Sequence, residues 1–449
     1  MLDKLMEHQL AGIEFLRGHK RAALFDEPGL GKSAQALLAA VEPILVVGPA
    51  MVLDGGVWDD EIAKWRPGAN VTQVAYSGLS GRERTLAGGS RPTGRLKPEY
   101  DRLWGTVILD EAHYVKGRKT NWTLAAKKLR CDRMYLLTGT PIPNWAHEAF
   151  VLLQLLYPEA AKPGKGLGSY WRWVENWFEI GEQYGKGGIV VSDHVVGAFR
   201  QDREWDDFIE SNWGDRMLLR LREDCLKDLP PLTQSMIKVN MVPAQRKAYR
   251  ELKKDFITWL DSGEEIAAWS ASGQLVKLAQ CTTGLEVLSD EIGSGKLDAL
   301  QTLLTDRPGP TLVVAHFRAS VAACATRAGA AGKGAVVVHG GISSKARGDA
   351  VRAFQRGEVE VLCASLDTIS EGLTLNSADQ IIKVERSWRP SRNEQALRRI
   401  HRIGQTRPVT AIDLVTRNSV DERVLQLLAG KVDQQMRALG IADLRKLAA

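Results

Sequence analysis

"LFDEPGLGKS", residues 24–33, sets a strand end, a glycine-rich loop and a helix start in the order that phosphate cradling requires. Gly29 and Gly31 let the backbone curl so that its N–H groups point inward, Lys32 neutralises phosphate oxygens, and Ser33 can hold Mg²⁺. The helix opening near Lys32 adds the positive end of its dipole. Asp26 stands where the general pattern takes Gly or Ala, five residues before the second glycine. By itself the stretch could be a glycine-rich turn with a solvated lysine.

A second stretch weighs against that. "TVILDEAH", residues 106–113, is an apolar strand ending in two carboxylates. Adjacent acids at a strand end can do two jobs: Asp110 binds Mg²⁺ through water, and Glu111 orients or deprotonates the attacking water. A third apolar run ends in "TGTP", residues 138–141, where Thr138 and Thr140, around Gly139, can bond both to the carboxylate segment with His113 and to the next stretch of chain. Gln9, in "LMEHQLAGIEFL", is similar to an adenine-reading glutamine upstream of a phosphate loop. "GSGKLDAL", residues 293–300, repeats the glycine–lysine letters without a preceding apolar strand, and Lys296 is assigned to structure.

Working outward, "RAALF", "ILVVG", "VTQVAY", "TVILD" and "MYLLTG" are strand-like, with "SAQALLAAVE" and "VWDDEIAKW" helix-like between them. Such alternation implies a parallel sheet with helices on its faces and ligands beyond the carboxyl ends of the strands. From about residue 159 the pattern turns to Gly-rich turns and Trp-rich, charged helices, read as a helical insertion without strands. Alternation returns with "TLVVAHF", "AVVVHGG", "VEVLCAS", "QIIKVER" and "VTAIDLV". "SGLSGRERTLAGGSRPTGRLK", residues 77–97, reads as a basic, mobile loop. The fold class is α/β, in four parts: an N-terminal lobe 1–158, the insertion and linker 159–295, a second lobe 296–431 and a helical tail 432–449.

With 449 residues the chain is too long for one ordinary domain. Its formal charge of +6 fits a polyanion partner without requiring one. The longest apolar runs fall short of a membrane span, and "MLDKLMEHQL" is too charged for a signal peptide, so a cytoplasmic protein with no membrane association is expected. Five scattered cysteines without a CxxC pair speak against a disulfide framework or a cysteine zinc site.

"QALRRIHRIGQ", residues 395–405, places Gln395, Arg398, Arg399 and Arg402 at i, i+3, i+4 and i+7, one helical stripe, with Ala396, Leu397, Ile400 and Ile403 opposite. A stripe of like charges is repulsive without an anion.

Taken together, "DEPGLGKS", "DEAH", "LLTGTPIPN", "SEGLTLNSAD", "WRPSRNEQALRRIHRIGQ" and "SVDERVLQLLAGK" resemble the Swi/Snf family of DNA-translocating ATPases, within the second helicase superfamily, in order and spacing. "MLLRLREDCLKDLPPLTQ" resembles that family's linker between lobes, and the likeness runs from about residue 5 to 431. It implies two RecA-like lobes acting on ATP and Mg²⁺ with duplex DNA across both. Asp26, Glu27, Pro28, Gly29, Leu30, Gly31, Lys32 and Ser33, with Gln9, would form the ATP site; Ser33 and Asp110 would hold the metal; Glu111 would be the catalytic base. Gln395, Arg399 and Arg402 match the last helicase motif, the arginines as fingers on the γ-phosphate, worth on the order of 10³ to 10⁵ in rate. Glu371 and Gly372 would couple DNA grip to nucleotide, with Ser370, Leu373, Trp388 and Arg389 at the DNA; Arg398 stands where the family tolerates other residues and is expected to face DNA phosphate or an acidic neighbour.

Two departures accompany the likeness. The family's further strand with a hydroxyl and a tyrosine before the acidic motif is replaced by the loop 77–98. No chromatin-reading module follows the core, so targeting is expected from the core or a protein partner, with the chain a monomer. The expected activity is translocation on double-stranded or forked DNA. The alternative is a strand-separating DNA or RNA helicase of the DEAH type, which carries a hairpin wedge between the motifs here represented by "EGLTL" and "QALRRIHR"; about twenty residues separate them here. A scaffold that has lost hydrolysis would lack a catalytic group, whereas Lys32, Asp110, Glu111, Arg399 and Arg402 are all present.

Overall fold

A strand covered on both faces must be apolar at successive positions, not at alternate ones. The first such runs become β1 (Arg21–Leu24) and β2 (Ile44–Gly48), whereas β3 (Val71–Ala75) is an edge strand that carries Thr72 and Gln73. After them come β4 (Ser80–Arg84) and β5 (Ser90–Leu96), then β6 (Leu103–Asp110), β7 (Arg130–Leu137), β8 (Phe178–Tyr184), β9 (Val190–Phe199) and β10 (Met217–Leu218). The computed structural model describes residues 5–439 except 55, 85–89, 161–166, 185–189, 227–228, 262–267, 290–292, 308, 370–374 and 403. These fall into two compact units, residues 5–184, 190–226 and 433–439 in the first and 229–432 in the second.

The first unit is built on a parallel sheet of order β10-β1-β7-β6-β2-β3. Ala23, Phe25, Val107, Leu109 and Leu136 enter one apolar layer with Tyr76, Trp104 and Phe150. Ala22, Leu24, Ile108, Tyr135 and Leu137 enter the other with Leu16, Leu37 and Trp58. Each buried large side chain contributes about 1.5–3 kcal/mol. The strand order decides the site: β7 lies between β1 and β6, and Leu24 and Asp110 both register with Leu137. The phosphate loop, the acidic pair and the "TGTP" turn therefore leave the sheet at one level, from adjacent strands.

The second unit repeats the principle with β11 (Leu232–Val239), β12 (Thr311–Ala315), β13 (Ala335–Val338), β14 (Val361–Ser365), β15 (Gln380–Lys383) and β16 (Val409–Thr416), parallel in the order β11-β16-β15-β12-β14-β13. Leu312 and Val314 point to one core, Val313 and Ala315 to the other.

Two local expectations change. Residues 77–97, read as a loop, contain the antiparallel hairpin β4/β5, and β5 packs on the helix Asn121–Ala126. The segment read as an insertion without strands contains the antiparallel hairpin β8/β9, and it also supplies β10 to the first sheet and β11 to the second. The Trp-rich helix stops at Trp177, where the chain turns extended at Phe178 and pairs back onto Phe199. β10 and β11 are stabilised by partners far along the chain, which local periodicity does not record. Among the described residues no helix is long and apolar enough to cross a membrane.

Candidate nucleotide site

The phosphate loop leaves β1 and enters the helix Lys32–Ala39, whose N-cap Gly31 has φ +77°, with Gly29 at +94°. L residues rarely adopt that region. Gln9 occupies the space beside Gly31, where a Cβ would lie 2.2 Å from its Nε2 and displace that side chain. Gln9 thus reaches the loop: Nε2 donates to Leu30 O at 3.4 Å while Oε1 accepts from Met6 N at 3.0 Å. His8 Nε2 lies 3.2 Å from the same carbonyl, and burial lowers its pKa, so the neutral ring donates there. Lys32 Nζ donates to Asp26 O at 2.6 Å, folding over the loop it follows.

Asp26 has a different role from the one its place in the motif implies. Its carboxylate is fully buried and takes a bidentate pair from Arg220, Nε at 2.9 Å and Nη2 at 2.5 Å. Arg220 also donates to Gln35 Oε1 at 2.8 Å and to His8 O, and Gln35 Nε2 donates to Leu30 O at 2.9 Å. Asp26 is thus committed to shaping the loop, and its charge is balanced from a residue 194 positions later. Glu27 Oε2 accepts from Arg222 N at 2.7 Å, so the segment after β10 also braces the loop. Nothing in "LFDEPGLGKS" discloses either partner.

At the end of β6, both oxygens of Asp110 are oriented: Oδ2 accepts from Trp58 Nε1 at 2.8 Å and Oδ1 from Glu111 N at 3.0 Å. The buried Tyr76 hydroxyl donates to Asp110 O at 2.9 Å. Burial, then the charge of Glu111, pushes the Asp110 carboxyl up to about 6, against the pull of Trp58 and Lys32. A carboxylate so desolvated is one that a cation stabilises strongly. Glu111 has φ +49°, a left-handed conformation that costs a side-chain-bearing residue about 1–3 kcal/mol and is concentrated at functional sites.

The strained turn aims Glu111 at the next strand's loop. Thr138 Oγ1 donates to Glu111 Oε2 at 3.2 Å and accepts from Thr140 N at 3.1 Å. His113 Nδ1 lies 3.0 Å from Thr138 Oγ1, 3.3 Å from Thr140 Oγ1 and 3.3 Å from Glu111 Oε2. A Cβ at Gly139 would meet Pro28 Cδ at 2.6 Å, so glycine there lets this turn pack directly on the phosphate loop. The carboxylate, His113 and the threonine turn form one polar network, and that turn packs against the loop at Pro28.

These residues suit Mg²⁺ with a nucleotide triphosphate. Hard oxygen donors (Ser33, Asp110) sit beside a lysine, and the loop's glycines occupy backbone conformations that a Cβ would spoil. Sequence reasoning missed Trp58, Tyr76, Gln35 and Arg220. One signal existed for Trp58, since a buried indole N–H needs an acceptor.

In the second unit the arginine motif departs from the expected stripe. The helix is Pro390–Leu397, and Arg398 onward is a series of turns. Arg399 N bonds Ala396 O at 3.2 Å, Ile400 N bonds Leu397 O at 3.2 Å, and Leu375 N claims Arg399 O at 3.0 Å. Gln405 draws the chain out of helical register: its Nε2 donates to Asn376 O, Ala378 O and Ile400 O, and its Oε1 accepts from Thr406 N and Arg407 N. Ala396, Leu397 and Ile400 are buried, as the pattern predicted. Gln395 lies half-buried on the helix; Arg398 Nη2 pairs with Glu394 Oε1 at 2.8 Å. Burial lowers the pKa of Arg402, marking a partly desolvated cation. Arg389 is exposed, and Trp388 O accepts from Lys431 Nζ at 2.9 Å. Ser370, Glu371, Gly372 and Leu373 lie outside the described residues.

Two family models match the chain: the SNF2-related domain over residues 94–286 and the helicase conserved C-terminal domain over 295–404. The DNA annealing helicase and endonuclease ZRANB3 of Mus musculus is 27% identical over 461 residues, 95% of this chain and 40% of that protein. The ISWI chromatin-remodeling complex ATPase CHR17 of Arabidopsis thaliana is 26% identical over 94% of this chain and 41% of its own. The chain thus spans about two fifths of the length of these relatives. The Sulfolobus solfataricus SWI2/SNF2 ATPase core in complex with dsDNA aligns over 99% of this chain and 96% of its own at 21% identity, with a TM-score of 0.41, too low to bear on the fold. The chain thus carries an SNF2-related domain followed by a helicase conserved C-terminal domain.

Proposed function

We propose that this SNF2-related chain is a DNA-dependent ATPase that couples hydrolysis to translocation along double-stranded or forked DNA. The observation that supports it most directly is the network joining Glu111, Thr138, His113 and the phosphate loop through Gly139 and Pro28. Such an arrangement lets the carboxylate and the "TGTP" turn respond to the same phosphate. Bound Mg²⁺ would supply charge neutralisation between phosphate oxygens, with Ser33 and Asp110 as its holders. Lys32 and the loop N–H groups bind and orient the phosphates. Glu111 orients the attacking water and takes its proton, and Trp58 and Glu111 N fix the direction in which Asp110 faces. Arg399 and Arg402 are assigned the finger role, stabilising charge that develops in the transition state.

Translocation without strand separation is favoured by the short connection between the second unit's motifs. Residues 380–397 are β15, a turn closed by Asn393 onto Ser387 and Arg389, and the helix carrying Gln395. That path accommodates no wedge hairpin. Exposed Arg389, after that turn, suits phosphate contact. Grip through phosphate gives sequence-tolerant binding that weakens steeply with salt.

The test measures ATPase stimulation by duplex, single-stranded and forked DNA and by RNA, with triplex displacement and strand separation scored in parallel. Strong stimulation by duplex DNA with triplex displacement and no unwinding is expected, and Glu111→Gln should abolish turnover while sparing ATP binding. Equal stimulation by RNA and duplex DNA, or efficient unwinding, would favour the DEAH-type helicase instead.

A further inference from the structure

Four cations converge on one concavity in the second unit, beside the start of "SVDERVLQLLAGK" but on residues outside the motifs used so far. The helix Pro243–Asp261 carries Arg246, Arg250 and Lys253 at i, i+4 and i+7, on one face. Arg417 enters from the turn after β16, and Asn240, Met241, Tyr249 and Asn418 complete the lining of a concavity of about 360 Å³. Among the described residues no carboxylate lines it. Among the described residues no ion pair is recorded for any of the four cations, and the nearby Glu422 is engaged by Lys238 at 3.6 Å and by Asn418 N at 3.1 Å. Like charges at helical spacing repel by a few tenths of a kcal/mol per pair.

The scaffold beneath is rigid. The buried Tyr249 hydroxyl accepts from Val420 N at 2.8 Å, tying the helix to the turn that carries Arg417 and Asn418. Gln245 Nε2 donates to Cys281 O at 2.7 Å and Thr282 O at 3.1 Å, fixing the helix start. Asn418 holds φ +54° at the lip. The cationic row from Arg246 to Lys253 spans roughly 10 Å at 1.5 Å per residue. That exceeds one phosphate group and matches successive charges along a nucleic-acid strand. The concavity follows the carboxyl ends of β11 and β16, on the same edge of the sheet as Trp388 and Arg389, which follow β15.

We propose that this concavity is a second phosphodiester-binding site, which anchors a DNA backbone outside the family motifs. The proposal rests on the DNA reading above. It gives the second unit a grip on DNA whose strength is independent of the nucleotide residues.

The experiment uses the full chain and two double variants, Arg250→Ala/Lys253→Ala in the concavity and Lys247→Ala/Lys254→Ala on the same helix outside its lining. Duplex binding is followed by anisotropy across a KCl series, with ATPase measured with and without DNA. The first variant should lower the slope of log K against log salt by about 2 and weaken duplex binding about tenfold or more near physiological salt. Its DNA-free ATPase and thermal midpoint should match the wild type, and the second variant should keep the wild-type slope. An unchanged slope in the first variant, with wild-type DNA stimulation intact, overturns the site and leaves the translocase reading standing. Equal losses in both variants overturn it in favour of a diffuse positive field. Binding of labelled poly-glutamate is followed in the same way, and its loss in the first variant at constant DNA slope overturns the site in favour of an acidic-peptide site. A wild type that neither binds duplex nor is stimulated by it overturns the translocase reading and this site together.

Discussion

Lys32 and Lys296 follow the same letters, glycine then lysine after a short polar turn, and end in opposite circumstances. Lys32 opens a helix directly behind β1, with an αL glycine as its N-cap, and its Nζ donates to a neutral carbonyl of its own loop. Lys296 sits one residue into the helix Gly295–Asp306, capped by Ser294, and is 1% exposed. Its ammonium meets Asp421 Oδ2 at 2.6 Å and donates to Val384 O at 2.9 Å. A buried ammonium persists only when it is paired and hydrogen-bonded, and Lys296 is both. What separates the two is the element in front: a strand end aims a lysine at ligand space, whereas a capped loop tucks it inward.

The strongest way to break that comparison is to remove each lysine and read both activity and stability. Lys32→Ala should lower ATP turnover by about 10³-fold, the scale of losing a preorganised charge, while leaving the thermal midpoint near wild type. Lys296→Met strands the Asp421 charge and should cost about 3–5 kcal/mol, a drop on the order of 10 °C in the second unit's transition. Calorimetry and steady-state ATPase on the two variants decide it. Comparable destabilisation by both, or a turnover loss from Lys296→Met exceeding that from Lys32→Ala, would erase the distinction.

A smaller effect sharpens it on the acidic side. Asp421 has a lysine for its partner, whereas Asp110 is held by an indole N–H and a backbone N–H, an arrangement that orients the group without neutralising it. Trp58→Phe keeps the apolar ring in the core and removes that donor. Outer partners of metal-holding groups are worth about 10- to 100-fold in affinity. Mn²⁺ binding measured by calorimetry or paramagnetic resonance in the presence of nucleotide should weaken by at least about tenfold, with the fold retained. Unchanged affinity would reduce Trp58 to packing.

The two lysines also mark what the chain discloses locally. Every strand read from an unbroken apolar run, from "RAALF" to "VTAIDLV", lies in one of the two sheets, because burial on both faces writes itself into consecutive residues. β10 and β11 escaped that reading: "ML" is two residues long, and "LTQSMIKV" is an edge strand with most of its side chains turned to solvent. The loop's glycines, lysine and acids stand out because phosphate chemistry demands those residues at those spacings, and the strand order brings their segments to one level. Arg220 against Asp26 does not, since a partner 194 residues away is fixed by sheet order and not by any local pattern. The arginine stripe failed for a related reason: Leu375 and Gln405 take the bonds that a continuing helix would have needed.

That failure bears on the arginines themselves, and the smallest expected effect tests it. In the turns after Leu397, Arg398 closes an i,i+4 pair with Glu394 and is mostly covered, 11% exposed against 40% for its partner. A pair of this type contributes about 0.5 kcal/mol, and it already supplies Arg398 with a counter-charge inside its own segment. Arg398→Ala should therefore cost less than about fivefold in DNA-stimulated ATPase, the rate equivalent of ~1 kcal/mol. Arg399→Ala and Arg402→Ala, if those cations stabilise transferring phosphate, should each cost on the order of 10³-fold or more. Glu394→Gln separates the two possibilities further: it removes the counter-charge from Arg398 and should leave turnover nearly unchanged. Three equal losses across the arginines would mean that the Glu394 pair is a resting arrangement and that Arg398 leaves it to meet an anion during turnover.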